Sequence, residues 1–148
     1  MINIINLNLD WIVKRDVLII EGEKTRVGIG NDLLNNTNSI KRIICPAINA
    51  FNVYDKILAS ALQFNKNILI LIALGPTATV LAYDLYKSNY QVIDLGHVDI
   101  EYELFLRKAN HSIKIPTKYV SEAIGGTENI SNITDINYYK QIVCKITN

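Results

Sequence analysis

Four short apolar runs punctuate the chain: Val17–Ile20, Ile40–Cys45, Ile68–Leu74 and Gln91–Leu95. They recur at intervals of roughly 23 to 28 residues and are rich in β-branched side chains, as strands buried on both faces are. The segments between them change period. In Asn52–Phe64 the apolar positions are Val53, Ile57, Leu58, Ala61 and Leu62, and in Thr77–Ser88 they are Ala78, Leu81, Ala82 and Leu85. Both follow the spacing of a one-sided helix. Strand and helix in alternation, joined by tight links, predict an α/β fold with a Rossmann-like parallel sheet and right-handed helical crossovers.

The ends are less regular. Met1–Trp11 reads as a short helix or a ragged start, and Tyr139–Ile146 as a last strand. One domain over 1–148 is expected, with a core at about 11–122 and a polar C-terminal extension at 123–148.

In an open parallel sheet, ligands lie beyond the carboxyl ends of the strands. Four loops should therefore open on one edge: EGEKTRVGIGND, PAINAFN, GPTAT and GHVDIEYE. In the third, Gly75 permits a sharp exit from the strand and Pro76 suits a helix start. Free N–H groups there, with the hydroxyls of Thr77 and Thr79, suit a phosphate, although a capped crossover without a ligand reads equally well. The first loop has no Gly-Lys-Ser/Thr ending and no third glycine for a dinucleotide fingerprint. Arg26 could clamp a phosphate from it, or stand with Lys24 as a solvated charge.

The fourth loop is the densest in chemistry, with Asp94, His97, Asp99, Glu101 and Glu103 close together. A helix is expected to begin near Asp99, with Asp99 as its cap and Glu101 and Glu103 complementing its positive end. On that placement Glu103→Gln should cost only a fraction of a kcal/mol. His97 is not explained by capping. It could bind a divalent metal with neighbouring carboxylates, or a carboxylate could take a proton from an attacking hydroxyl.

Composition narrows the class. The chain has 148 residues, 49% hydrophobic and 20% charged, as a globular domain does. With 15 basic and 14 acidic residues its formal net charge is +1, which offers no footprint for nucleic acid. No apolar run is long enough for a transmembrane segment, and the start lacks a signal-peptide pattern. Cys45 and Cys144 have neither metal-site nor redox-motif spacing. A cytoplasmic protein is expected, in which sequons such as Asn129-Ile130-Ser131 carry little meaning.

The blocks VLIIEGEKTRVGIGNDLL, SIKRIICPAINAF, LIALGPTATVLAYDL and IDLGHVDIEYELFL resemble, in order and spacing, the bacterial glycosyltransferases of the GT-D fold. The resemblance covers about Trp11 to Glu122 and implies transfer of a sugar from a nucleotide diphosphate sugar to an acceptor hydroxyl. The setting it implies is surface polysaccharide or glycoprotein glycan synthesis, with a divalent metal, manganese, as cofactor. It also implies that Glu21, Gly22, Arg26 and Asn31, with Gly75, Pro76, Thr77 and Thr79, wall the nucleotide-sugar site. His97, and less directly Asp99, would reach the metal or the diphosphate. Glu103 would be the base that deprotonates the acceptor. Family members carry a DxE metal motif in an N-terminal part, and no such motif occurs before Trp11. The chain is therefore expected to be the C-terminal part of such an enzyme, with a separate N-terminal half as partner. Two other readings remain: a non-catalytic remnant that binds nucleotide weakly, and another nucleotide-using α/β enzyme such as a methyltransferase. The latter is disfavoured by the lack of a glycine-rich first loop followed by an acidic ribose ligand.

Overall fold

A computed structural model describes residues 10–148. Five parallel strands form one sheet in the order β4-β3-β1-β2-β5. They are β1 (Asp16–Gly22), β2 (Ser39–Cys45), β3 (Leu69–Ala73), β4 (Gln91–Asp94) and β5 (Ile142–Lys145). The four apolar runs are thus strands, and the most apolar, β1 and β3, lie side by side with Val17 opposite Leu69. Every residue of β3 is buried, whereas the edge strands β4 and β5 are only half-buried. A central parallel strand has no solvent face, so alternation disappears from its sequence.

Alternate residues of the strands feed two cores. Leu18, Ile20, Ile70 and Ile72 pack beneath α1 (Tyr54–Ala61) and α2 (Thr77–Lys87), through Ile57, Ala61, Leu81 and Leu85. Val17, Ile19, Leu69 and Leu71 face the other way. There they meet Ile12, Val27, Leu33 and Leu34, together with Val98 and Tyr102 of α3 (Val98–Leu106). A third cluster, Ile100, Leu104, Ile115, Val120 and Ala123, fixes the chain behind α3.

Three details differ from the expected elements. Helix α1 is shorter than Asn52–Phe64, because Ala50–Val53 forms a 3-10 turn led by Asn49 in the left-handed region. No helix bridges β1 and β2; irregular backbone carrying Val27, Leu33 and Leu34 covers that face. The expected last strand is divided: α4 (Ile136–Gln141) precedes β5, and Asp135 caps α4 by accepting from the Asn137 and Tyr138 N–H groups. Residues 142–145 of the polar extension thus complete the sheet beside β2. The expectation for Met1–Trp11 falls mostly outside the described residues; Asp10–Ile12 is a 3-10 turn.

The connection from β1 leads towards β2, while that from β3 leads the opposite way to β4. Connections that diverge from adjacent strands leave a crevice beyond their carboxyl ends. The end of β1 is secured by a buried pair. The Arg42 Nη1 donates to Glu21 Oε1 at 2.7 Å, its Nη2 to the Val27 carbonyl at 2.9 Å and its Nε to Gln141 Oε1 at 2.7 Å. Tyr138 lies beneath, its ring centroid 5.1 Å from the guanidinium carbon. Burial pushes the Glu21 carboxyl above its ordinary value, against the downward pull of Arg42 and the Val27 N–H.

Arg42→Met strands that carboxyl and should cost about 3–5 kcal/mol in denaturant unfolding near neutral pH. A carboxyl raised by folding stabilises the fold below its unfolded value and loses that contribution as pH climbs through its folded value. Without Arg42 the rise is larger, so the deficit against the parent should widen as pH climbs past the parent's own raised value. A deficit that stays constant with pH would show that Glu21 finds another partner.

Candidate functional site

The four strand-end loops meet in a cleft of about 430 Å³. Gly22, Thr25 and Val27 come from the β1 loop, Pro46, Asn49 and Phe51 from the β2 loop, and Gly75, Pro76 and Thr77 from the β3 loop. Gly96, His97 and Asp99 come from the β4 loop, and Tyr119 and Ser121 close the remaining side. Gly75 adopts φ 54°, which lets β3 turn directly into α2. Pro76 occupies the N-cap position and no side chain caps α2, so its first turn keeps backbone donors for an anion or water.

Below the β4 loop is a buried polar cluster. Asp99 and Glu103, one turn apart on α3, are each only 4% exposed. The Lys118 ammonium, itself buried, lies 2.7 Å from Asp99 Oδ2 and 3.3 Å from Glu103 Oε1. The Asn31 amide donates to both carboxylates, at 3.0 Å to Asp99 and 2.9 Å to Glu103. The Gly28 N–H donates to Asp99 Oδ1 at 2.8 Å, and Arg107 approaches Glu103 Oε2 at 3.3 Å. Two carboxylates sharing one helix face would repel; the inserted ammonium and amide make the arrangement tenable.

Several expectations change here. Asp99 does not cap α3: His97 stands at the N-cap position, no side chain caps the helix, and Asp99 turns inward to Lys118. Glu103 lies well inside α3, in contact with two cations, so the small cost expected for Glu103→Gln no longer follows. Of the residues named for the nucleotide-sugar site, Gly22, Gly75, Pro76 and Thr77 line the cleft. Glu21 is fully buried against Arg42. Arg26 turns away from the cleft lining and donates to the carbonyls of Thr117 at 2.8 Å and Ser131 at 2.7 Å. Asn31 belongs to the buried cluster, and Thr79 is directed to Asp94 at 3.4 Å. Lys118 was not anticipated, and nothing in IPTKYV distinguishes it from a surface lysine.

A divalent ion needs several oxygen or nitrogen donors free to turn towards it. His97 Nε2 lies 2.9 Å from Glu122, both half-exposed or more, and Asp99 is occupied by Lys118, Asn31 and Gly28. Among the described residues no three His, Cys, Asp or Glu side chains gather closely enough to hold a metal. His97 and Asp99 as placed do not fit the ion.

A doubly flanked parallel sheet with its cleft at the diverging strand ends defines a Rossmann-like, ligand-binding α/β protein. Residues 6–123 match the glycosyltransferase GT-D fold, and the chain belongs to that family. It is 43% identical over 132 residues to a protein called "Probable glycosyl transferase Gly" of Streptococcus gordonii, covering 89% of this chain and 19% of that protein. To the glycosyltransferase GlyD of Streptococcus pneumoniae serotype 4 (strain ATCC BAA-334 / TIGR4) it is 43% identical over 134 residues, covering 90% and 16%. A solved glycosyltransferase from Streptococcus sanguinis, of the domain of unknown function 1792, superposes with a TM-score of 0.86 at 41% identity. That superposition covers 91% of this chain and 50% of the solved one. A second solved structure, of the same domain and described as a distinct glycosyltransferase fold, gives 0.84 at 44% identity, covering 90% and 48%. The chain thus spans less than a fifth of the curated relatives and about half of the solved ones.

The two charge sets predict opposite responses. Lys118→Met leaves the buried Asp99 without a cation and Glu103 with Arg107 alone, and should cost about 3–5 kcal/mol in denaturant unfolding. His97→Ala breaks an exposed pair and should change stability by no more than about 0.5 kcal/mol. Equal losses would contradict the division between a buried charge cluster and an exposed cleft rim.

Proposed function

We propose that the cleft binds a nucleotide diphosphate sugar and that the protein transfers the sugar to an acceptor hydroxyl, in surface polysaccharide or glycoprotein glycan synthesis. The observation carrying this reading is the convergence of all four strand-end loops on one cleft beside the uncapped start of α2. Membership of the glycosyltransferase family supplies the reaction class. In this reading the backbone of Gly75–Thr77 receives the diphosphate, and the helix N-terminus stabilises the negative charge that grows on it as the sugar departs. Gly22 lets the β1 loop approach closely, while Glu21, Arg26 and Asn31 shape that loop from behind. Glu103 is the base this reading assigns for the acceptor proton; it is 4% exposed and outside the cleft lining, its side chain held by Asn31, Lys118 and Arg107.

No step is assigned to a divalent ion, since His97 and Asp99 are engaged elsewhere. Manganese is instead an arm of the test. A cytoplasmic setting is part of the proposal; the free thiols Cys45 and Cys144 fit it, and among the described residues no helix is long and apolar enough to cross a membrane. A second reading, nucleotide binding without transfer, is favoured by one observation: Glu103 is buried and paired with both Lys118 and Arg107.

The experiment is sugar transfer from a nucleotide diphosphate sugar, with and without manganese, the other half of the relatives' fold being supplied in cis or in trans. Glu103→Gln should lower the rate by about 10²–10⁴ if the carboxylate is the base. It should also cost about 1–3 kcal/mol of stability, because a buried charged partner is lost, so rates are compared well below melting. Undiminished transfer by the variant removes Glu103 from the mechanism. Nucleotide binding without transfer by the parent would favour the second reading.

A further inference from the structure

Among the described residues lining the cleft, Phe51 is the large hydrophobic side chain left exposed, at 58%. Its neighbours explain how the chain holds it there. Asn49 takes φ 56° and turns the backbone after β2, and Ala50 and Val53 are buried in the core beneath α1 and α2. The 3-10 turn between them projects Phe51 outward. The ring is braced from one side by Tyr54, with centroids 5.2 Å apart and planes tilted by 33°. Tyr54 in turn donates its hydroxyl to Asp84 on α2 at 2.5 Å. The exposed ring is therefore tied, through one aromatic contact and one hydrogen bond, to the helix whose first turn opens on the same cleft.

We propose that Phe51 is a stacking platform for the base of the nucleotide, and so contributes to binding of the donor. This rests on the donor-site reading above and adds a residue to it. A ring held on one side and open on the other is a surface for a flat π-system, and a cleft of about 430 Å³ is of the size that holds a nucleotide-scale ligand. Tyr54 and Asp84 fix the ring before the ligand arrives, so little side-chain freedom is lost on binding. The β2 loop, to which the sequence assigned no group beyond a place at the cleft, thereby gains a role that diphosphate contacts alone do not supply.

The test is calorimetric titration of the protein with UDP, ADP, GDP and inorganic pyrophosphate, repeated with Phe51→Ala and Phe51→Trp. The tightest-binding nucleotide should weaken about 5- to 150-fold with Phe51→Ala, the range of a base–aromatic stack. Pyrophosphate should be unaffected within about twofold, and Phe51→Trp should restore the nucleotide. An unchanged melting temperature for Phe51→Ala is expected of an exposed site. Equal binding of the nucleotide by parent and Phe51→Ala, or equal loss of nucleotide and pyrophosphate, overturns the stacking role and leaves the donor site standing. Failure of the parent to bind any of the four ligands overturns the donor-site reading, and the stacking role with it.

Discussion

The Lys118 ammonium, set between the carboxylates of Asp99 and Glu103, is the contact on which the cleft side of the molecule depends. Each of these ions would be costly to bury alone. Together with Asn31 they bring three stretches of chain to one place: the irregular β1–β2 connection, α3, and the segment after Ile115. None of the three belongs to the sheet. Pairing of charge, with its strict demand on distance, gives these segments a defined arrangement.

The same logic recurs on the other side of β1. Glu21 accepts from the Val27 N–H at 2.7 Å while Arg42 donates to the Val27 carbonyl, and one residue later Asp99 accepts from the Gly28 N–H. A loop at the diverging strand ends has no ladder to satisfy its amides. Here buried carboxylates do so, from β1 on one side and from α3 on the other. The wall of the cleft is thereby fixed before any ligand arrives.

Much of the fold was legible because it depends on period. The apolar runs at Val17–Ile20 and Ile68–Leu74, and the helical spacing in Thr77–Ser88, became β1, β3 and α2, and the loops after the strands met as the parallel topology requires. The buried charges were not legible. Asp99 carries the local signature of a helix cap, yet its partners are Gly28, Asn31 and Lys118, which no local rule connects to it. Arg26 has the composition of a phosphate clamp and instead holds two carbonyls of the C-terminal region. Family resemblance marked Glu103 but not the ammonium beside it. Long-range pairing leaves no period in the sequence, and a lysine after a proline gives no sign of being buried.

The account is tested most directly by amide hydrogen exchange at Val27 and Gly28. Both belong to irregular backbone, and both donate to buried carboxylates. If those carboxylates hold the loop, the two amides should exchange as slowly as those of β1 and β3, through global unfolding. Exchange at the rate of an unstructured peptide would contradict it, and would mean that the buried charges do not fix the wall of the cleft.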